Sequence, residues 1–411
     1  MSSSPWYHLI TREQWRALVA AQLGWMLDAM DVMLYAFALT TIQQEFGLSS
    51  GEAGALASVT LIASAFGGVL FGVLADKIGR ATSLMFSILV YSVFTGLTAT
   101  AGSVAELILW RSLVGLGMGG EWSAGSVLVS ETWPAEHRGK AIGLMQAGWA
   151  IGYMLAAVLA AAILPQLGWR VLFLLGILPA FLTLWIRRRV QEPQIWRERK
   201  ETEVVGGAML PLTIFRTPLL RKTLLSSFIT MSVLFAYWGL FTWMPSFLAQ
   251  PIEQGGAGLG IVRSSAWIIP MQIGAFFGYT SFGFFADRFG RRPVFVFFLA
   301  CAALLVPVYG QLARHELVLL VLGPCLGFFG HGYFSVFGAM LSELFPTRVR
   351  GTAQGLVYNV GRAFSALAPY TVGALADRSG IGSALAVTSA FFLAGAGLMF
   401  LLPETRAKTL E

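Results

Sequence analysis

Hydrophobic positions are gathered into long blocks, and polar residues are confined to short intervals between them. Runs of roughly 20 apolar residues, long enough for a helix to cross the hydrocarbon core, occur twelve times. They lie at about 15–39, 53–75, 81–101, 104–128, 139–163, 168–187, 223–248, 262–286, 293–312, 316–341, 352–376 and 381–402. An even number of crossings returns both ends to one side. The longest polar interval, Arg188 to Lys222, divides the runs six and six. The pattern predicts an all-α membrane protein: a six-helix bundle over 1–187, a linker over 188–222 and a second six-helix bundle over 223–411. In the linker, residues 201–207 (Glu-Thr-Glu-Val-Val-Gly-Gly) read as a connector, and Trp196 with its charged neighbours suits either a solvated segment or a helix lying on the membrane surface.

The two halves carry matching signatures. GVLADKIGR (Gly72 to Arg80) returns as GFFADRFGR (Gly283 to Arg291), with Asp76 and Asp287 211 positions apart. Glu131, Pro134, Arg138 and Gly143 return 212 positions later as Glu343, Pro346, Arg350 and Gly355. Two independent signatures at one offset indicate a duplicated architecture with two pseudo-symmetric bundles. Small residues crowd several runs (Gly67, Gly68, Gly72; Gly143, Gly148, Gly152; Gly355, Gly361), as expected where helix backbones approach closely in lipid.

Composition agrees with burial in lipid. Of 411 residues 56% are hydrophobic and 12% charged, with mean hydropathy +0.70, against about 25% charged in an ordinary soluble domain. The net charge of +7 could suggest nucleic acid. With the amino end cytoplasmic, however, 22 of the 28 Lys and Arg fall in cytoplasmic segments, all but Arg111, Arg170, Arg263, Arg314, Arg362 and Arg378. That is the distribution that orients a membrane protein, with both termini cytoplasmic. The first fifteen residues do not resemble a cleavable signal peptide. Cys301 and Cys325 lie inside apolar runs, so no disulfide framework is expected. Four scattered His and two Cys form no metal or nucleophile cluster, which argues against an enzyme, a metal site or a cofactor.

An ionised side chain at mid-membrane costs about 2.5–3.5 kcal/mol on insertion scales, so each one needs a reason. Asp28 and Asp31 lie deep in the first run, three positions apart on neighbouring helix faces. Two carboxylates in a poorly solvated site do not readily both ionise, which suits a proton-coupling pair with Asp28 the first choice; the alternative is a structural ion pair. Glu121 is a further proton-site candidate, or pairs with a basic group. Arg362, beside Tyr358 and Asn359, offers a permanently charged planar fork for a carboxylate. Its partner is either an anionic substrate or an aspartate. Arg111 either attracts anions, supports the aspartates or snorkels to the interface. His331 is a titratable candidate for the substrate site, or else a hydrogen-bonded packing residue. Tyr35, Trp149, Tyr153, Trp238, Trp243, Phe334 and Tyr358 can wall a cavity, and Gln146 and Gln272 can hydrogen-bond a substrate.

The duplicated ADKIGR and ADRFGR turns on six-plus-six helices resemble the major facilitator superfamily of secondary transporters, over nearly the whole chain. Asp28-Ala-Met-Asp31 resembles the aspartate pattern of its aromatic acid and sialate proton symporters. The stretches Arg111 to Trp122, Val129 to Pro134 and Gln146 to Tyr153 are most similar to the sialate:proton symporter group, which includes lactate and pyruvate permeases. The fifth run lacks the Gly-Pro pair of drug:proton antiporters, which disfavours efflux. The resemblance implies two halves rocking about a central site, and a cytoplasmic latch formed by Asp76, Arg80, Glu131, Arg138, Asp287, Arg291, Glu343 and Arg350. A receptor or channel would not need such matched turns. The expected function is proton-coupled uptake of a small organic monocarboxylate such as lactate or pyruvate by a monomer in the cytoplasmic (inner) membrane; a sialic or aromatic acid is the alternative, and proton-driven efflux a weaker one.

Overall fold

The structure is a computed structural model and describes residues 8, 10–194, 196–198, 219–345 and 350–405; the side chains of Asp76, Arg138, Asp287 and Arg350 lie outside the described residues, as does most of the linker. Among the described residues there are helices and no strands.

In the first half, α1 (Arg12–Phe46) starts at a capping box, in which the Thr11 side chain accepts from Gln14 N and Gln14 returns the bond, and stops at Gly47 in the left-handed conformation. Next come α2 (Ser50–Ile78), α3 (Arg80–Thr98), α4 (Val104–Thr132) and α5 (Ala135–Leu175). The last is two passages: Gly168, at φ 75° and ψ 176°, turns the chain between the expected fifth and sixth spans. α6 (Ala180–Arg189) completes the sixth. The second half comprises α7 (Leu219–Ala249), α8 (Gly260–Phe289), α9 (Arg291–Gln311), α10 (Glu316–Gly332), α11 (Phe334–Leu344), α12 (Arg350–Ser365), α13 (Leu367–Ser379), α14 (Ile381–Leu385) and α15 (Val387–Met399). Tyr333, Ala366 and Ala386, between consecutive pairs, keep φ near −62° and ψ near −21°. Helical dihedrals therefore run through α10–α11, α12–α13 and α14–α15, and each pair makes one passage. The twelve passages form two pseudo-symmetric six-helix bundles.

The duplication is visible in atomic contacts. A methyl group added at Gly67 would overlap the Leu116 carbonyl, and one at Gly278 the Phe328 carbonyl. Gly115 meets the Thr60 carbonyl as Gly327 meets that of Met271. So α2 crosses α4 as α8 crosses α10, at backbone contact that only a missing Cβ allows. Among the described residues, the same substitution at Gly72, Gly143 or Gly355 would meet nothing within 4 Å.

The matched charges also pair, but inside each half. Arg80 holds Glu131 through Nε (3.0 Å) and a second guanidinium nitrogen (3.1 Å). Arg291 holds Glu343 at 2.7 Å. Each of these two pairs lies within one half. Arg80 and Glu131 close the turn between α2 and α3 onto the end of α4; Arg291 and Glu343 do the same for α8, α9 and α11. Two further carboxylates, missed in the sequence although they too stand 212 positions apart, finish these turns. Glu192 accepts from Ala81 N (3.1 Å), Thr82 N (2.9 Å) and Thr82 Oγ1 (2.9 Å). Glu404 accepts from Arg291 N (3.0 Å) and Arg292 N (3.1 Å). Each neutralises the open amides at the start of a third-passage helix.

The halves meet along α5 with α8, α2 with α12 and α13, and α1 with α7. Arg80 and Arg291, each at the start of a third-passage helix, mark one face of the molecule, the basic face.

Candidate functional site

Three carboxyl groups and two guanidiniums are buried together at the seam between the halves. Asp28 and Asp31 come from α1, Arg111 and Glu121 from α4, and Arg362 from α12; all are at most 2% exposed. The charges of Arg362, Asp31 and Arg111 all act on Asp28; that of Arg111 acts on Asp31; those of Asp28 and Arg362 act on Glu121. The group divides into Asp31 with Arg111 on one side and Asp28 with Glu121 and Arg362 on the other. Among the described residues no basic nitrogen lies within 4.0 Å of any of the three carboxylates, and none of their oxygens has a hydrogen-bond partner. The Thr95 hydroxyl faces Asp31 without reaching hydrogen-bond geometry. Helix spacing explains the gathering: Asp28 and Asp31 stand one turn apart on the inner side of α1. Gly24, a turn below Asp28, leaves the space that Glu121 uses, since a methyl there would meet Glu121 Oε1 at 2.5 Å.

Aromatic faces carry both guanidiniums. Arg111 lies 4.7 Å over the ring of Tyr35, whose hydroxyl donates to the Ala53 carbonyl (3.0 Å), and Arg362 lies 5.9 Å over Tyr358. Arg111 is therefore a buried member of the cluster and does not snorkel to an interface. Tyr358 in turn stacks on Trp122 across the seam (4.3 Å, 12°), and Trp122 Nε1 donates to Gln146 Oε1 (3.3 Å).

A second aromatic set lies on the α5–α7–α10 side. Trp149 Nε1 donates to the Tyr237 hydroxyl across the seam, and Trp149 also touches Trp25 and Trp238. His331 sits against Phe241 (4.1 Å), Tyr237 (5.1 Å) and Tyr279 (5.9 Å). Its Nδ1 is bonded to the Gly327 carbonyl of its own helix (3.0 Å), while Nε2 has no partner. Tyr153 donates to the Phe241 carbonyl (3.0 Å). Phe334 packs on Tyr237 (5.2 Å).

Other sequence candidates fall elsewhere. The Asn359 amide donates to Gly355 O (2.9 Å), and its Oδ1 faces Gly68 of α2. Gln272 is buried in α8 with its amide unpartnered. Trp243 packs within the second half, donating to the Pro369 carbonyl (2.9 Å). Sequence reasoning passed over Tyr91 of α3, whose buried, unpartnered hydroxyl feels the charges of Asp28, Glu121 and Asp31. It also passed over Tyr237 and Tyr279, which only the helix packing brings beside His331.

Space at the centre is scarce. One cavity of 50 Å³ is shared by Trp122, Gln146, Phe334 and Tyr358, and one of 20 Å³ by Arg111, Tyr35 and Trp238. These hold a few waters at most. A vestibule of 790 Å³ opens at the face opposite the basic one, away from the buried charges. Admitting a ring-sized solute to the centre requires the halves to part.

Paired six-helix bundles with buried charges at their seam define a secondary transporter, which moves a solute without converting it. The description Major Facilitator Superfamily matches residues 23–282 and 259–411, and the chain belongs to that family. It is 34% identical over 388 residues to a cis,cis-muconate transport protein of Acinetobacter baylyi (92% of each chain). It is 31% identical over 418 residues to the niacin transporter of the same organism (95% and 94%), and 30% identical over 396 residues to a sialic acid transporter of Escherichia coli (95% of each). A crystal structure of a D-xylose-proton symporter has the same fold, with TM-score 0.78 over 97% of this chain and 100% of that one at 20% identity.

Proposed function

We propose that the protein takes up a planar, ring-sized carboxylic acid, aromatic or derived from an aromatic ring, together with a proton. The observation that carries the reading is Arg362: a buried guanidinium on the face of Tyr358, at the seam, with no ion pair within 4.0 Å among the described residues. A fixed fork of donors in such a place suits an incoming carboxylate. Trp122 and Tyr358 on one side, and Trp149, Tyr237 and Trp238 on the other, offer ring faces to a flat body. Lactate and pyruvate, the first expectation, would leave these faces unused, and the named relatives carry muconate, niacin or sialic acid instead. The muconate and niacin carriers favour a flat unsaturated acid over a sugar acid.

Charge balance supplies the coupling. Three carboxyls facing two guanidiniums leave one negative charge in excess, so the empty site is neutral when it holds one proton. A bound monoanion calls for one proton more. Burying the loaded site without an unbalanced charge therefore requires that proton, and Asp28, which feels both guanidiniums, is its carrier, with Glu121 and Asp31 beside it. A monoanion with one proton crosses without net charge; each additional charge moved would be worth about 2.3 kcal/mol per 100 mV. The halves 1–187 and 223–411 rock about this site, joined by 188–222. The chain works as a monomer in the cytoplasmic (inner) membrane with the basic face and both termini cytoplasmic. Glu131 and Arg80, Glu343 and Arg291 stiffen each half at that face, so that it opens as a unit.

The test is counterflow in proteoliposomes across benzoate, nicotinate, cis,cis-muconate, sialic acid, lactate and pyruvate. Exchange of the flat acids, accelerated by an inward proton gradient, is expected. Exchange confined to lactate and pyruvate, or uptake indifferent to collapse of the gradient, defeats the proposal.

A further inference from the structure

The turn motif of the basic face has a third copy at the opposite face. Gly283-Phe-Phe-Ala-Asp-Arg-Phe-Gly290 matches Gly373-Ala-Leu-Ala-Asp-Arg-Ser-Gly380 at Gly, Ala, Asp, Arg and Gly. The backbones agree as well. Gly79, Gly290 and Gly380 have φ of 112°, 101° and 79° with ψ of 157°, 149° and 152°. In each, the glycine N–H returns to the alanine four residues before it, at 3.2, 3.0 and 3.0 Å. A new helix begins at the next residue: Arg80, Arg291 or Ile381.

The third aspartate has its target in the other half. Asp377 reaches out of its own half to the start of α2, where its two oxygens accept from Ser50 N (2.9 Å) and Gly51 N (2.9 Å). Those are the first two amides of the helix, which have no partner within it. The third is taken by the Ser49 side chain (3.2 Å), whose own N–H is held by Glu52 (2.8 Å). The start of α2 is thus satisfied by protein only because the other half supplies a carboxylate. Glycines make the approach possible: a methyl at Gly373 would overlap the Ser50 carbonyl, and one at Gly54 the Pro369 carbonyl. Beneath this contact, Thr40 and Ser246 (3.4 Å), then Tyr153 and the Phe241 carbonyl (3.0 Å), also join the halves.

We infer that Asp377 is the outer lock of the transporter: its carboxylate caps α2 across the seam, holds the face opposite the basic one shut, and must let go for that face to open. The lock is built to be weak. Asp377 is exposed, so water replaces it when the halves part. Removing a cap of this kind shifts a two-state balance by about fivefold.

The test measures distances between spin labels at Gln44→Cys and Gln254→Cys, which face the vestibule from opposite halves, with Cys301 and Cys325 replaced by Ser. Neither substrate nor gradient is needed, so the result stands apart from the identity of the transported acid. Asp377→Ala should raise the long-distance population about fivefold relative to the short one. Ser50→Pro attacks the same bond from the other side. Proline is welcome at the first position of a helix, and the extended Ser49 before it (φ −66°, ψ 163°) is compatible, so α2 stays intact while one donor is lost. It should shift the balance the same way, and the double variant should exceed Asp377→Ala by little. Unchanged distances in both single variants, or fully additive shifts in the double one, overturn the lock.

Discussion

Replacing Arg362 by lysine separates charge from geometry at the centre. The side chain is buried (2% exposed) and its guanidinium lies 5.9 Å over Tyr358, with Asp28 and Glu121 in its field. Lysine keeps the unit charge, so the balance of three acids against two cations survives and the empty site still needs one proton. The planar fork is lost. One of the two charge-assisted hydrogen bonds to a carboxylate goes with it, worth about 1.5–3 kcal/mol. At about 2 kcal/mol and 1.4 kcal/mol per decade, affinity should fall about thirtyfold. Arg362→Ala removes the charge too; leaving a buried partner unpaired costs about 3–5 kcal/mol, and the acids meet it by holding a second proton when empty. Binding of the acid identified by counterflow, followed through quenching of the tryptophans nearby, reads the affinity directly. Proton uptake on binding should stay at one per acid in Arg362→Lys, as the charge balance requires. An Arg362→Lys protein that binds within about threefold of the parent would show that the carboxylate is held elsewhere.

Three other substitutions address separate parts of the argument. Asp28→Asn should keep exchange of internal for external acid while losing accumulation against a gradient; paired counterflow and uptake measurements check this, and retained accumulation moves the proton to Glu121 or Asp31. Glu192→Ala and Glu404→Ala should each lower stability by about 1–2 kcal/mol, because each carboxylate accepts from two amides at the start of a third-passage helix; thermal unfolding in detergent reads the loss, and unchanged unfolding in both variants contradicts the capping account. Gly67→Ala, which presses on the Leu116 carbonyl, should destabilise by about 1–3 kcal/mol, whereas Gly72→Ala, with open space around it, should be neutral or slightly stabilising; equal effects would mean that α2 and α4 are not in backbone contact.

Span placement was legible in the sequence because hydropathy is local and the bilayer fixes its length scale. Even the division of α5 at Gly168 followed from where the apolar runs end. Partners were less legible for the opposite reason. Arg80 and Glu131 each recur in the other half, so spacing alone could not decide whether the four join the halves or stiffen each one. Glu192 and Glu404 carried a usable signal, the same 212-residue offset, but with no flanking motif to draw attention to it. The five central charges were found because each is anomalous in lipid. Their aromatic neighbours were only half found, since Trp149 and Trp238 are conspicuous by type, but Tyr237 and Tyr279 matter only through where α7 and α8 pack. The third copy of the turn stayed hidden because it breaks the offset: it lies 90 positions after the second, inside one half, at the other face.

That broken offset bears on how such a molecule can work. A solute of ring size brings limited binding energy, and a lock stronger than that energy would trap one face shut. A cap of two amides by an exposed carboxylate is worth about 1 kcal/mol, enough to tilt a balance about fivefold and little enough for a bound acid and a proton to reverse. Charge imbalance at the centre acts on a larger scale, since a buried uncompensated charge costs about 3–5 kcal/mol. On the proposed reading the weak term sets which face is shut at rest, and the strong one forbids the passage of an anion without its proton. Coupling would then reside in Asp28, Asp31, Glu121, Arg111 and Arg362, and directional preference in turns such as that at Asp377, so changing the second should alter rates and resting populations while leaving the proton-to-acid ratio where the first sets it.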